Sequence, residues 1–157
     1  EFVNPATLKK FATGDGRATK EQMIRACREK YRYDAPDDNA ADACHLYHYY
    51  IRKDGTTHLT RPVERIGAHA KGFNAESIGI CYEGGLDCRG RPADTRTPEQ
   101  RAALRLLVHQ LQERFPGCRV CGHRDLSPDR NGNGEIEPEE WIKACPCFEV
   151  KEESYRE

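Results

Sequence analysis

The sequence lacks most of what would give a chain a simple reading. No apolar run approaches the ~18 residues that a membrane helix needs, and hydrophobic residues make up 37% of the chain against 32% charged. A membrane span is therefore excluded. Net charge is almost nil, −1 from 25 basic and 26 acidic residues, so no global field draws the protein to nucleic acid or anionic lipid. The first residue is Glu1, and neither a basic n-region nor an apolar h-region follows it. The chain reads as made in the cytoplasm without a visible signal peptide, either as a fragment or with its true start removed. Also missing is the look of a disulfide scaffold. There are eight cysteines, but the segments between them are long and periodic, which predicts buried thiols in a reduced cytosolic product. Cys118 and Cys121 form a C-x-x-C, yet residues 119–121 read as a short strand. Positions three apart on a strand face opposite ways, so the two should not share a metal.

What remains is a chain of 157 residues, enough for one domain with a core. Its first 45 residues read as helical. Residues 6–12 make a helical turn or two, broken by Thr13-Gly14-Asp15-Gly16. Thr19 with Gln22 predicts a capping box for a helix from Lys20 to about Tyr31, carrying Met23, Ile24, Cys27 and Tyr31 on one stripe. A second helix should start near Asp38 and pass through Cys44. From His45 the pattern changes. HLYHYYIRKDGTTHLTR reads as strand, turn and strand, and residues 77–82 as a compact apolar strand. Thr97 and Pro98 open a helix running to about Arg114, with Ala103, Leu107, Leu111 and Phe115 at helical spacing. Residues 119–122 read as a further strand. The fold class is α/β: a mixed β-sheet flanked by helices, with an N-terminal helical segment (1–45), a main domain (46–150) and a polar tail (151–157).

Chemistry concentrates between Cys121 and Phe148. His123 stands in a polar turn and Cys145 beside a proline. A neutral imidazole and a thiolate could supply two of the three protein ligands of a catalytic zinc. Between them, Asp129, Asn131, Asn133, Glu135 and Glu140 fit the calcium pattern D-x-N-x-N-G-x-I-x-x-x-E, with oxygen ligands at positions 1, 3, 5 and 7, Gly134 for the turn and Glu140 to close it. A helix over residues 141–144 should follow, making half an EF-hand.

The motifs YHYYIRKDG (47–55), RIGAHAKGFNAESIGICYEGG (65–85), TPEQ (97–100), GHRDLSP (122–128) and KACPCF (143–148) occur in one order. Over residues 47–148 the chain resembles the zinc-dependent N-acetylmuramoyl-L-alanine amidases of the phage lysozyme type, relatives of the peptidoglycan recognition proteins. The resemblance implies a monomeric hydrolase of the bacterial cell wall whose partner is peptidoglycan, cutting the amide between muramic acid and L-alanine. It implies His123 and Cys145 as zinc ligands, Lys143 and Tyr47 as catalytic residues, and His69 and Asn74 as positions lining the substrate cleft. It also implies a third ligand, a histidine on a first strand that has no match here. A forced alignment sets Asn4 at that place, so the first strand and helix of the family are expected to be missing or replaced, with zinc held less tightly. His45, two residues before Tyr47 on the expected strand, is a candidate surrogate.

Residues 4–23, NPATLKKFATGDGRATKEQM, and 37–43, DDNAADA, resemble the C-terminal part of RuvC-like Holliday junction resolvases. That resemblance implies magnesium-binding acids, with Asp42 matched and Asn39 and Asp38 nearby. A two-metal nuclease needs several converging carboxylates, which one helix does not supply, and nucleic acid is not an expected partner. Three functions therefore stand: a peptidoglycan amidase, a peptidoglycan-binding remnant without catalysis, and a resolvase fragment.

Overall fold

The computed structural model describes residues 5–35, 37–153 and 155; Asn4 lies outside them, as do the side chains of Asp38 and Asn39. Seven helices and strands follow in order: α1 (Pro5–Thr13), α2 (Lys20–Tyr31), α3 (Asp38–Leu46), β1 (Tyr49–Ile51), β2 (Thr57–Leu59), β3 (Ile80–Tyr82) and α4 (Pro98–Arg114), with short 3₁₀ turns beyond. The described chain is α/β with a mixed sheet, as the sequence predicts. It divides into two compact units, the first of Glu1–Arg52 with Thr56–Glu83, the second of Lys53–Gly55 with Gly84–Glu157. The helices before residue 46 thus belong to the same unit as the sheet.

In the first unit the sheet has the order β2-β1-β3. β1 pairs antiparallel with β2, Tyr50 opposite His58, and parallel with β3, Tyr50 opposite Cys81. Helix α2 starts as its sequence predicts: the Thr19 hydroxyl accepts from the Gln22 N–H at 3.3 Å while the Gln22 carboxamide accepts from the Thr19 N–H at 2.7 Å. Its stripe buries Met23 and Cys27, with Ile24 and Tyr31 partly covered. Cys27 joins Tyr33, Ala40, Ala41, Cys44 and Tyr50 in one core; Met23 joins Leu8, Ala12 and Ala18 in another. Small residues on α2 and α3 let the two helices approach each other and β1.

Two expectations about this unit are corrected. Helix α3 runs on to Leu46, and Tyr47 is its C-terminal cap, with its N–H donating to the Ala43 carbonyl at 3.1 Å. Tyr47 and His45 are therefore not on a strand. His45 is a fully buried helical residue whose Nδ1 lies 3.0 Å from the Tyr31 hydroxyl. Burial pushes its pKa down to about 4 and that of Tyr31 up to about 12. A ring so enclosed in the first unit's core is a poor surrogate metal ligand.

In the second unit, Thr97 and Gln100 form a second capping box and Pro98 opens α4. The buried stripe is Gln100, Leu104, Leu107, Val108 and Leu111. Ala103 is only half-buried and Phe115 is exposed, so the stripe is rotated from the expected one. The strand expected at 119–122 and the helix expected at 141–144 do not form. Trp141 is extended (φ −63°, ψ 121°) after the 3₁₀ turn Pro138–Glu140, and the Ile142 N–H goes to the Ser127 hydroxyl at 3.0 Å. An extended residue there cannot continue a helix, so the half EF-hand lacks its exit helix. All eight cysteines are free thiols; only Cys27 and Cys44 are fully buried, and Cys88 and Cys118 are exposed.

Candidate active site

The second unit brings two predicted residues together. His123 Nδ1 and Cys145 Sγ lie 3.4 Å apart. Two backbone segments are laced to achieve this. The Arg124 N–H donates to the Cys145 carbonyl at 2.9 Å, and the Arg124 guanidinium donates to Glu149 at 2.6 Å and lies over the Trp141 ring at 4.4 Å. The Gly122 N–H donates to the Asp125 carboxylate at 2.7 Å. Gly122 has no room for a side chain, since a Cβ would stand 2.5 Å from Pro146 Cδ. The Cys145–Pro146 peptide is cis.

The electrostatics keep both partners neutral without a metal. Burial, then the Lys143 ammonium, hold the His123 pKa below its ordinary value. Burial, reinforced by Cys147 and opposed by Lys143, pushes the Cys145 thiol up. A neutral imidazole and a thiol that has a proton to give up are the forms that exchange that proton for a metal. Zn–S and Zn–N bonds at a tetrahedral angle set donor atoms about 3.5 Å apart, which the observed separation matches. The pair fits one edge of a zinc site. Among the described residues, no three His, Cys, Asp or Glu side chains converge into a metal-holding group.

The first unit holds a second cluster, around His69. The Tyr47 ring stacks on the His69 ring at 5.7 Å between centroids and 29° between planes. His48 meets His69 edge-on at 5.5 Å. His69 Nε2 lies 3.0 Å from the Ser77 hydroxyl, which donates to the Phe73 carbonyl at 2.6 Å. The Asn74 carboxamide oxygen accepts from both the His69 and Ala70 N–H groups, at 2.9 and 2.8 Å. His48 is buried, accepting from the Gly79 N–H at Nδ1 (3.0 Å) and donating from Nε2 to the Arg65 carbonyl (2.9 Å). The sequence names Tyr47, His69 and Asn74 but misses His48, Ser77, Gly67 and Gly79. The glycines on either side of AHAKGFN were the available signal, but only the fold shows which ring they approach.

The calcium-like loop closes on itself. The Asp129 carboxylate accepts from Gly132 and Gly134, Asn131 from Asn133, and Asn133 from Glu135. Glu140 accepts from Arg130, Asn131 and Glu137. These backbone donors hold both carboxylates below their usual range, led by Gly134 for Asp129 and Glu137 for Glu140. At the start of α3, the Asp37 carboxylate caps the helix by accepting from the Ala40 N–H at 2.8 Å.

Comparison with known proteins carries these observations further. Residues 11–139 match the family model Amidase_2, N-acetylmuramoyl-L-alanine amidase. The match begins within α1, well ahead of residue 47, and stops before Lys143 and Cys145. A protein of Haemophilus influenzae, described as uncharacterized, is 47% identical over 97 residues, 62% of this chain and 84% of that one. The endolysins of Klebsiella phage KP32 and Escherichia phage T7 are 37% and 35% identical over 105 residues, 67% of this chain. This alignment spans 60% of each endolysin's length. Among solved structures, the N-acetylmuramoyl-L-alanine amidase LysC from Clostridium intestinale is 39% identical, over 44% of this chain and 43% of that one, with a TM-score of 0.39. The endolysin amidase LysCS of the same organism is 28% identical, over 63% and 55%, with a TM-score of 0.42. With four-fifths of its length inside the family match, the chain belongs to the N-acetylmuramoyl-L-alanine amidase family.

Proposed function

We propose that this chain hydrolyses the amide between the lactyl group of N-acetylmuramic acid and the L-alanine of the stem peptide, acting on the bacterial cell wall. The observation that carries the reading is the approach of His123 Nδ1 to Cys145 Sγ. His123 and Cys145 would hold zinc, which when bound supplies Lewis acidity toward the scissile carbonyl and makes water a usable nucleophile near neutral pH. The chain's own residues do the rest. The Lys143 ammonium, two residues before Cys145, stabilises the negative charge that develops on the carbonyl oxygen. The Tyr47 hydroxyl passes a proton to the departing amine. His69 and Asn74 belong to the segment that meets the sugar and peptide. With two protein donors the affinity for zinc should be modest, so activity should depend on free zinc.

The loop of Asp129, Asn131, Asn133, Glu135 and Glu140 is a proposed calcium site. Its role would be structural: its last carboxylate precedes Lys143 by three residues, so an ordered loop fixes the approach to Lys143 and Cys145.

The test is release of stem peptides from purified peptidoglycan, followed by the appearance of free alanine α-amines, in a zinc titration. The reading predicts release that rises with zinc and disappears in Cys145→Ala. Binding to peptidoglycan without release at saturating zinc would instead identify a remnant that keeps substrate binding and has lost catalysis.

A further inference from the structure

The slot around His69 is more elaborate than a residue lining a cleft requires. On two sides it is closed by glycines. A Cβ on Gly67 would stand 2.4 Å from His69 Nδ1, and one on Gly79 would stand 2.5 Å from His69 Cγ. Neither neighbour could retreat, because His48 lies 2.8 Å from the same Gly67 position and is itself pinned through both ring nitrogens. A third side is the edge of His48, and a fourth the face of Tyr47. The remaining polar edge meets Ser77. Since the Ser77 proton goes to the Phe73 carbonyl, its oxygen is left to accept from His69 Nε2–H. The backbone below is held by Asn74 at two successive N–H groups. These contacts together fix the plane of the imidazole, and the ring stacked on it is Tyr47.

We infer that His69 is a positioning residue for Tyr47: the bracket of Gly67, Gly79, His48, Ser77 and Asn74 orients the His69 ring so that the stacked Tyr47 ring presents its hydroxyl in one direction. This rests on the proposed role of Tyr47 and goes beyond it, because it assigns Asn74 and His69 to holding the phenol rather than to touching substrate. Tyr47 sits one residue past the end of α3 and two before β1 begins, and aromatic stacking on His69 supplies a preferred plane for its ring. A displacement of the order of 1 Å at a reacting group can cost about 10²-fold in rate.

Two readouts test it on the full chain. The first is the resonance of Tyr47 in protein labelled with ¹³C-tyrosine, assigned by its loss in Tyr47→Phe. In His69→Ala the resonance should shift and broaden as the stacked ring is removed, and in His69→Phe it should return towards its native behaviour. The second is a kinetic cycle. His69→Ala should lower kcat about 10- to 100-fold with KM changed less than about twofold, His69→Phe should restore most of it, and in a Tyr47→Phe background the further loss from His69→Ala should vanish. A His69→Ala effect that persists undiminished beside Tyr47→Phe, or one that falls on KM, overturns the proposal, since His69 would then act on substrate or on the fold directly. If Tyr47→Phe leaves release unchanged, the catalytic role of Tyr47 is what has failed. The resonance then decides alone, and an unmoved Tyr47 signal in His69→Ala overturns the positioning. Far-UV circular dichroism of each variant separates these outcomes from loss of folding, for which His69→Phe is the control.

Discussion

His69 and His123 are both half-buried imidazoles in loops, and they are held in opposite ways. His69 is enclosed by two glycines, two aromatic rings and a serine, with its backbone tied by Asn74. Its ring is committed to the protein. His123 is placed by lacing of the backbone on either side, and its Nδ1 faces a thiol 3.4 Å away. That contact is worth little as a hydrogen bond; in the proposed function it is one edge of a metal site. The difference separates a ring enclosed by its neighbours from a pair to which the proposal gives a metal. It also shows where a substitution should cost stability and where it should cost activity.

The largest effect expected is at the receiving pair. Cys145→Ala or His123→Ala should abolish peptide release while leaving the urea midpoint nearly unchanged, because the lacing through Arg124, Glu149 and Ser127 does not use either side chain. A large loss of stability in Cys145→Ala would break the contrast. Next comes Tyr47→Phe, which should lower kcat by about 10²-fold or more and leave folding intact, as measured by release kinetics and thermal melting.

Stability tests the committed side. His45 and His48 are buried, and burial lowers both pKa values. Each takes up its proton more readily in the unfolded chain, so stability rises with pH through the window and falls on acidification. For His45 the window runs from the ordinary 6.5 down to about 4, and the loss across it is at most about 3 kcal/mol. Urea melts at stepped pH should show this slope, and His45→Gln should flatten it. Gly79→Ala should cost about 1–3 kcal/mol by overpacking the His69 slot, whereas an alanine at Gly132, where a Cβ meets nothing, pays only for its positive φ of 76°. The smallest effect belongs to the calcium-like loop. Millimolar calcium should raise the melting temperature by a few degrees, as binding to the native state alone must, and Glu140→Gln should remove that response.

How much of this the sequence could show depended on the range of the interactions. The capping boxes of Thr19 and Thr97 are closed within four residues and were legible. So were the α/β class and the strand, turn and strand after residue 45. Trp141 was not, because its extended backbone follows from a hydrogen bond between Ile142 and Ser127, fifteen residues apart. The strand expected at 119–122 does not form for a related reason. The Gly122 N–H goes to Asp125 rather than to a neighbouring strand. Tyr47 looks like a strand residue in the sequence because the aromatic run hides how far the alanine-rich helix before it extends. In the candidate site, His123, Cys145 and Tyr47 stood out by residue type and motif. The glycine bracket did not, because close approach of a backbone to a ring leaves no mark in composition or periodicity.

The central claim is that His123 and Cys145 form the metal-holding edge of a working amidase. Its most direct test is peptide release from purified peptidoglycan in parallel with zinc content, for the native chain and Cys145→Ala, across a range of free zinc. The account predicts release that saturates as zinc binds to the native chain, with neither binding nor release in the variant. Release that is indifferent to zinc, or that survives Cys145→Ala, would contradict it.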